Sequence, residues 1–336
     1  MVLTLYNYRY IMAQNKEKLL FLFHPSVARG FEALGEQVEV VTLPEGEKFD
    51  PKKLEGLPKD ATILGSEFTI PVTKEVIDYF PNLKLIANYA VGFNNIDVAY
   101  ANSKGITVCN TPQAVIQPTA ELAVALLLGL TRRIAIWDHT MRRQRSSAKG
   151  SLSDGMGTDI YRKKVGIVGY GNIGRAVGRI LKAMGAEIFY YKRHKLSDEE
   201  AQKEGVTYAP LDQLLRECDI ISLHTPYNED SHHLINEKSL GTMKPSAILV
   251  NTARGKVVDE AALVSALKNG TIAGAALDVF EHDDNPLDEL YDMENVVMTP
   301  HVGTQTVEAR VAMAEEFTNN VLGFLLQDRP IAIVRI

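Results

Sequence analysis

The most constraining feature of this sequence is a glycine-rich turn inside the segment 164–174, which reads Lys-Val-Gly-Ile-Val-Gly-Tyr-Gly-Asn-Ile-Gly. The segment opens with an apolar run typical of a buried strand, and apolar residues continue at helical spacing beyond it. These are Ile173, Val177, Ile180, Leu181 and Met184. Gly185 then suits a left-handed helix end, and Glu187–Tyr191 is typical of a second strand. A strand, a G-x-G-x-x-G turn, a helix and a strand form the context in which these glycines indicate dinucleotide binding.

Each glycine of this turn has its own physical role in the predicted site. Gly169 permits the tight turn, Gly171 lets the backbone approach a pyrophosphate, and Gly174 lets the helix lie close to the strand. The helix is expected to start at Asn172 and Ile173, where N–H groups without helical partners can bind the anion. A plain glycine loop is the alternative interpretation, but it would not require the flanking strands and helix.

Basic residues follow the second strand, at the position that distinguishes NAD from NADP. An NAD-selective site has a carboxylate about 20 residues after the turn, where it binds the ribose hydroxyl groups. This sequence has Lys192, Arg193 and His194 there instead. Lysine and arginine can pair with a 2′-phosphate, which a carboxylate would repel. The sequence therefore predicts NADP(H) as the preferred cofactor and NAD(H) as the alternative, and a solvated basic loop is the interpretation without a function.

Short apolar runs alternate with segments of helical period, which predicts an α/β fold with parallel sheets. The predicted strands of the first part are Leu19–Phe23, Val38–Val41, Thr62–Leu64, Leu83–Asn88 and Ile106–Cys109. Those of the second part are Val165–Val168, Glu187–Tyr191, Ile220–Leu223, Ala247–Asn251, Ala273–Leu277 and Val296–Met298. One long helix is expected from about Pro118 towards Trp137, and the last helix, about Thr306–Leu326, is expected to return to the first domain.

The predicted architecture has two Rossmann-like domains. A discontinuous, flavodoxin-like substrate domain comprises residues 1–110 and 301–336, and the dinucleotide-binding domain, residues 111–300, is inserted into it. A length of 336 residues agrees with two domains, because it exceeds what one core usually fills.

Composition excludes several classes of function. A formal net charge of −6 gives no general attraction for nucleic acid or for anionic membranes, so a small polar molecule is the expected partner. Cys109 and Cys218 are too few and too far apart for a disulfide framework or a cysteine metal site. No apolar run approaches the roughly 20 residues that cross a bilayer, and the start of the chain lacks the order of a signal peptide. We therefore expect a cytoplasmic protein, with Met1–Lys16 as an extension outside the fold.

Candidate catalytic residues follow three predicted strands of the second part, because ligands of parallel sheets bind beyond the carboxyl ends of the strands. Arg254, a carboxylate after Asp278, and His301 occupy these positions. Reduction of a 2-oxo acid needs a cation for the carboxylate and ketone, an acid that titrates near neutral pH, and a partner that orients this acid. Arginine binds carboxylates through its planar fork, and histidine can donate a proton near pH 7. Taken singly, each residue is more often a surface or capping group.

Other motifs are weaker or missing. His224 ends a strand and is a weaker candidate for a cofactor contact, whereas the remaining histidines are interpreted as surface or packing residues. No spacing of histidine and carboxylate residues predicts a metal site, and no G-x-S-x-G nucleophile motif is present.

With these motifs, the chain from about Leu19 to Ile333 resembles the D-isomer-specific 2-hydroxyacid dehydrogenases. The resemblance is carried by Asn88–Asp97 as a substrate loop, Gly169–Gly174 as the cofactor turn, Val250–Gly255 with the arginine, Leu277–Glu281 with the aspartate, and Thr299–Gly303 with the histidine. It implies that Val91 and Gly92 present N–H groups to the substrate carboxylate. It also implies cofactor contacts by Thr225, Pro226, Thr252, Ala253, Asp278, His301 and Gly303. The basic run resembles the glyoxylate and hydroxypyruvate reductase branch, and the family implies a homodimer joined through the cofactor domains.

Two positions depart from the family pattern. The acid that orients the histidine is normally glutamate, and the motif places Asp283 there, with Glu281 and Asp284 as nearby alternatives. The shorter aspartate side chain predicts a longer or water-bridged pair. Gln117-Pro118 stands where the family tends to carry threonine with an acid, and we have no functional account of this difference.

The residues predict NAD(P)H-dependent reduction of a small 2-oxo acid, with Arg254 binding and His301 as general acid; the resemblance implies the D-2-hydroxy acid as product and Asp283 as the partner of His301. A dinucleotide-sensing protein similar to the corepressors that share this fold is the alternative from another class. Formate dehydrogenase would carry glutamine in place of the acid partner and a longer N-terminal region. Phosphoglycerate dehydrogenase is less favoured because no regulatory domain follows Ile336.

Overall fold

The computed structural model describes residues 16–147, 155–282, 285–327, 329 and 331–335. Two compact units divide the chain: the first comprises Met1–Ala114 with Arg310–Ile336, and the second is Val115–Ala309. The predicted end of the inserted domain, residue 300, lies nine residues before the observed end of the second unit. The difference has a physical reason, because the backbone N–H groups of His301, Val302 and Gly303 all bond to Asp278 and so join this segment to the second unit.

Twelve strands and eleven α-helices lie in the described part of the chain. The strands are β1 (Glu17–Phe21), β2 (Val38–Thr42), β3 (Ile63–Ser66), β4 (Leu85–Asn88), β5 (Thr107–Cys109), β6 (Lys164–Val168), β7 (Glu187–Tyr191), β8 (Thr207–Tyr208), β9 (Ile220–Leu223), β10 (Ile248–Asn251), β11 (Gly274–Leu277) and β12 (Val296–Met298). The helices are α1 (Leu34–Gln37), α2 (Lys74–Tyr79), α3 (Val98–Ser103), α4 (Ile116–Thr131), α5 (Ile134–Gln144), α6 (Asn172–Ala183), α7 (Asp198–Glu204), α8 (Leu211–Glu217), α9 (Glu237–Leu240), α10 (Glu260–Lys268) and α11 (Val307–Leu326).

The first unit contains a five-stranded parallel sheet with the order β2-β1-β3-β4-β5. This is the flavodoxin-like order of a doubly wound sheet. Strands β3 and β4 are buried along their whole length, which explains their continuous apolar runs. Phe317 of α11 stacks on Phe21 of β1 with ring centroids 5.2 Å apart. Gly65 of β3 is needed at this contact, because a Cβ there would lie 2.6 Å from the Phe21 ring.

The second unit contains a seven-stranded parallel sheet with the order β12-β11-β10-β9-β6-β7-β8. Counted from β6, this is the Rossmann order 3-2-1-4-5-6 with one further strand. The predicted α/β architecture with two parallel sheets is therefore confirmed. Strand β8 was not predicted, because a two-residue strand at the edge leaves no periodic pattern.

The prediction of one continuous helix from Pro118 towards Trp137 is wrong. Helix α4 ends at Thr131 and α5 begins at Ile134, because Arg133 between them has a φ of +52°. Residues at the break contact residues that are distant in sequence. Arg133 pairs with Glu294 at 3.0 Å, and the N–H of Thr158 bonds to the last carbonyl of α4. Within the described ranges, no helix is both long enough and apolar enough to cross a membrane.

Candidate active site

In the glycine turn at 169–174, backbone atoms lie close to the position that a Cβ would take at Gly169 and Gly174 but not at Gly171. Gly169 has a φ of +93°, and a Cβ there would lie 2.6 Å from the carbonyl group of His224. A Cβ at Gly174 would lie 2.4 Å from the carbonyl oxygen of Gly169. Around Gly171, in contrast, no described residue beyond its own chain neighbours has a heavy atom within 4 Å of an added Cβ. The backbone is therefore compact beneath the turn and accessible at the residue where a phosphate would approach.

Helix α6 begins directly at this accessible residue. Gly171 is its N-cap and, as a glycine, has no side chain that could cap the first turn. Asn172 is exposed and Ile173 is half-buried, so the start of the helix is accessible to a ligand. A long helix with an accessible and uncapped N-terminus attracts an anion. The turn and helix thus fit the pyrophosphate of a dinucleotide.

The basic residues follow β7, beside this turn. The N–H of Gly169 bonds to the carbonyl of Tyr191, the last residue of β7. Lys192 is half-buried, and both Arg193 and His194 are exposed. The Arg193 guanidinium forms an ion pair with Asp230, and both side chains remain largely exposed. An exposed pair of this kind contributes at most about 1 kcal/mol, so Arg193 can exchange partners.

His224 and Thr225 follow β9 and pack under the glycine turn. The ring Nε2 of His224 lies 2.8 Å from Ser222 Oγ, and Nδ1 is buried without a partner among the described residues. Burial lowers the pKa of His224 to about 4, so the ring is neutral at physiological pH. Pro226, the next predicted cofactor residue, is exposed. This strand end therefore presents neutral groups to the turn.

The arginine turn follows β10 and is held by Asn251. The Asn251 side chain accepts from the N–H of Ala253 at 3.0 Å and donates to the carbonyl of Arg254 at 3.0 Å. Arg254 itself is half-buried, and its Nη1 donates to the Ala253 carbonyl at 2.6 Å. Thr252 is buried, and its Oγ1 has no partner in the described part of the chain. The Asn251 side chain thus holds the turn, which also contains one buried polar atom that no described residue satisfies.

Gly255 permits a close backbone approach beside the arginine. A Cβ at this position would lie 1.6 Å from the carbonyl oxygen of Phe280 and 2.5 Å from the nitrogen of Glu281. No side chain can occupy that space unless the backbone moves. The residue therefore joins the arginine turn to the segment that follows Asp278.

The loop that carries His301 is held by the Asp278 carboxylate. Oδ1 accepts from the Thr299 hydroxyl at 2.6 Å and the Val302 N–H at 2.8 Å, and Oδ2 accepts from the Gly303 N–H at 3.0 Å. The Asp278 carbonyl also accepts from the N–H of His301, which has a φ of +54°. Asp278 is 1% exposed, and this burial raises its pKa, although the hydrogen bonds and His301 oppose the shift.

The sheet register places these turns along one edge. Val168, Leu223, Asn251, Leu277 and Met298 are successive register partners across β6, β9, β10, β11 and β12. The residues that follow them begin the glycine turn, the His224 segment, the arginine turn, the Asp278 segment and the His301 loop. The sequence-predicted residues of the second unit are thus brought to one carboxyl edge.

Asp283, the predicted acid partner of His301, and its alternative Asp284 lie outside the described residues. Glu281 is described, and its carboxylate is already engaged: Oε1 lies 2.9 Å from His233 Nε2, and Oε2 accepts from the Glu260 N–H at 3.3 Å. The assignment of Asp283 therefore stays a prediction. The described residues contain no group of three or more histidine, cysteine, aspartate or glutamate residues arranged for a metal ion.

The predicted substrate loop belongs to the first unit. Val91 and Gly92 are half-buried, and their carbonyl groups accept from the side chains of Asn110 and Asn88, at 2.7 and 2.6 Å. Sequence reasoning did not single out these two asparagines as functional, nor Asn251. Their shared signal is a polar amide at or just after the end of an apolar strand.

Comparisons with known proteins agree with this geometry. A family model described as "D-isomer specific 2-hydroxyacid dehydrogenase, NAD binding domain" matches residues 124–303. A glyoxylate reductase of Pyrococcus furiosus is 41% identical over 319 residues, which cover 94% of each chain. Both the family model and the full-length relative therefore include the glycine turn, the arginine turn and the His301 loop.

Solved structures agree over nearly the whole chain. A glyoxylate reductase from Paecilomyes thermophila superimposes with a TM-score of 0.85 at 32% identity, covering 95% of this chain and 98% of that one. An NADPH-dependent glyoxylate/hydroxypyruvate reductase of Sinorhizobium meliloti, in complex with NADP and malonate, gives a TM-score of 0.83 at 30% identity, covering 95% and 97%.

The fold and the glycine turn thus define a nicotinamide-dependent oxidoreductase. The chain belongs to the D-isomer-specific 2-hydroxyacid dehydrogenase family, as the resemblance of its motifs predicts, and its relatives and structural neighbours include glyoxylate reductases.

Proposed function

We propose that this enzyme reduces glyoxylate or hydroxypyruvate with NADPH, using Arg254 to bind the substrate and His301 to donate the proton. The observation that carries the proposal is the row of strand ends in the second unit. It gathers the cofactor turn, the arginine turn and the His301 loop on one edge of one sheet. The named activities of the relatives from Pyrococcus furiosus and Sinorhizobium meliloti support the same substrate class.

Arg254 is assigned to the substrate carboxylate and carbonyl oxygen. Its backbone is fixed by the Asn251 side chain, and Gly255 beside it allows a close backbone contact, so the backbone from which the guanidinium extends is preorganised. A fixed guanidinium can bind a carboxylate through two parallel hydrogen bonds. Its positive charge also stabilises the negative charge that develops on the ketone oxygen during reduction.

His301 is assigned as the general acid. Its loop is fixed by the Asp278 carboxylate on both sides of the histidine, which limits the directions available to the imidazole. The protonated ring donates its N–H proton to the ketone oxygen, and this completes the hydroxyl group of the product. Asp283 is proposed to hold the imidazolium in orientation, as the family motif implies.

The cofactor is assigned to the second unit, with Gly169, Gly171, Gly174 and the start of α6 at the pyrophosphate. Thr225, Pro226, Thr252, Ala253, Asp278, His301 and Gly303 complete the proposed contacts. When bound, the nicotinamide supplies the hydride. Lys192, Arg193 and His194 are proposed to bind a 2′-phosphate, which favours NADPH. For Arg193 this requires release from Asp230.

Further assignments follow from the family. Val91 and Gly92 are proposed to direct N–H groups to the substrate carboxylate. We propose a homodimer whose interface includes α5, because none of its residues is buried and Ile134 and Met141 are largely exposed. A cytoplasmic location is proposed because both cysteines, Cys109 and Cys218, are free and buried.

Initial rates test the proposal. The purified protein is mixed with NADPH or NADH and a series of 2-oxo acids of increasing size, beginning with glyoxylate and hydroxypyruvate. We expect the highest kcat/KM with NADPH and the smallest acids, and hydroxypyruvate should give D-glycerate. Tight cofactor binding without any turnover would contradict the proposal and would instead support a dinucleotide sensor. A clear preference for NADH would refute the role of the basic residues.

A further inference from the structure

Three polar side chains form a row across the carboxyl edge of the first unit's sheet. Ser66, the last residue of β3, is in register with Asn88, the last residue of β4. Ala87 is in register with Cys109, which places Asn110 beside Asn88. In-register side chains of parallel strands point to the same face. All three side chains are buried, at 0%, 1% and 9% exposure. We call Ser66, Asn88 and Asn110 the polar row.

Each member of the polar row contacts the loop 90–95. Asn110 Nδ2 donates to the Val91 carbonyl at 2.7 Å, and Asn88 Nδ2 donates to the Gly92 carbonyl at 2.6 Å. Ser66 Oγ accepts from Asn95 Nδ2 at 3.3 Å, at the far end of the loop. The loop is thus held from the sheet edge by side chains.

These bonds determine where the loop directs its N–H groups. A peptide group is planar, so its C=O and the N–H of the next residue point in opposite directions. The backbone N–H of Thr111 holds the Ala90 carbonyl at 3.1 Å, one residue before the two carbonyls held by Asn110 and Asn88. Three successive carbonyls are therefore turned towards the strand ends. The N–H groups of Val91, Gly92 and Phe93 are consequently turned away from them. Successive N–H groups of this kind form an anion-binding surface.

We propose that Asn88 and Asn110 are positioning residues that aim the loop N–H groups at the substrate carboxylate, an inference that rests on the proposed function. Stability alone does not account for Asn88, because its Oδ1 is buried without a partner among the described residues. Asn110 has a fixed backbone: its N–H donates to the Ala332 carbonyl at 3.1 Å, and its carbonyl accepts from Asn320 Nδ2 at 2.8 Å.

The test compares Asn88→Leu and Asn110→Leu with a matched control in the same unit. Leucine has nearly the same size but cannot donate, so the loop peptides can rotate. Thr318→Val is the control, because the buried Thr318 hydroxyl donates to the Gly30 carbonyl at 2.7 Å, remote from the loop in sequence. KM for glyoxylate, Ki for the unreactive 2-oxo acid mimic oxamate, Kd for NADPH, kcat and Tm are measured for each protein.

We expect KM and Ki to rise together by about 10- to 100-fold in each asparagine variant, with a smaller change in kcat and NADPH binding within twofold of the unchanged protein. Thr318→Val should lower Tm without raising KM. If a leucine variant does not fold, Asn88→Ala and Asn110→Ala remove the same donor without adding apolar bulk or a new donor. Normal KM and Ki in folded variants would overturn the inference while leaving the proposed function intact. Absence of 2-oxo acid turnover in the unchanged protein would overturn both.

Discussion

Replacing Asp278 tests whether its carboxylate positions His301, the proposed general acid. In Asp278→Asn the side chain keeps its size, and an amide oxygen can still accept from Thr299 and Val302. The new NH2 group, however, faces the N–H of Gly303, so an acceptor that lies 3.0 Å from this nitrogen becomes a donor. In Asp278→Ala all three hydrogen bonds are lost, and the N–H groups of Val302 and Gly303 lose their side-chain acceptor.

The expected magnitudes follow from these bonds. A hydrogen bond to a charged group contributes about 1.5–3 kcal/mol, and burial of the Asp278 charge partly offsets this. We therefore expect the free energy of unfolding to fall by about 2 kcal/mol in Asp278→Asn and by about 4 kcal/mol in Asp278→Ala. Because the loop would then hold His301 loosely, kcat for glyoxylate should fall by about 100-fold in the asparagine variant.

Denaturant unfolding and steady-state kinetics measure the two effects separately. Thr299→Val is the matched control for the loop, because it removes one bond to Asp278 and leaves the carboxylate in place. It should cost about 1 kcal/mol and reduce kcat by about fivefold. If Asp278→Asn and Asp278→Ala lower the free energy of unfolding but keep kcat within twofold of the unchanged protein, the carboxylate does not position His301.

Three further predictions follow from the second unit. Gly171→Ala should fold normally and weaken NADPH binding at least tenfold in titrations. Gly169→Ala should instead lower Tm, because a Cβ at position 169 would collide with the backbone of His224, whereas a Cβ at position 171 would not. Gly255→Ala should destabilise the protein by about 3 kcal/mol in denaturant unfolding, because its Cβ overlaps the Phe280 carbonyl; unchanged stability would contradict this. The pKa of His224 is lowered to about 4 in the folded protein, so on acidification the unfolded chain binds a proton at this residue before the folded chain does. The free energy of unfolding should therefore fall as the pH is lowered from 6.5 to 4, by at most about 3 kcal/mol. His224→Gln should remove that component of the pH dependence, and an unchanged slope would refute the assignment.

The strands were largely predictable because most of them are short apolar runs, whether fully buried, as in β9, or partly exposed, as in β7 and β12. Strands β7, β9 and β12 have the predicted bounds, and most others differ by one or two residues at an end. The break between α4 and α5 was not predictable, since Arg133 is a good helix former and the contact with Glu294 is 161 residues away. Propensity describes local preference, and here distant partners decide the conformation.

The residues of the candidate site could be predicted where their role depends only on neighbouring residues in the sequence. The glycine turn needs no partner beyond its own strand and helix, and Arg254 and His301 follow from their positions after apolar strands. Gly255 could not be understood from sequence, because the atom that excludes a side chain belongs to Phe280. The hydrogen bonds from the His301 loop to Asp278 likewise join segments 21 or more residues apart.

The most direct test of the account is NADPH oxidation by the unchanged protein and by His301→Ala, with cofactor binding measured on both. The unchanged protein should oxidise NADPH only when glyoxylate or hydroxypyruvate is present. His301→Ala should bind NADPH with similar affinity and lose about 10²- to 10⁴-fold in kcat, because a positioned acid contributes that much to the rate. Full turnover by His301→Ala would contradict the proposed chemistry.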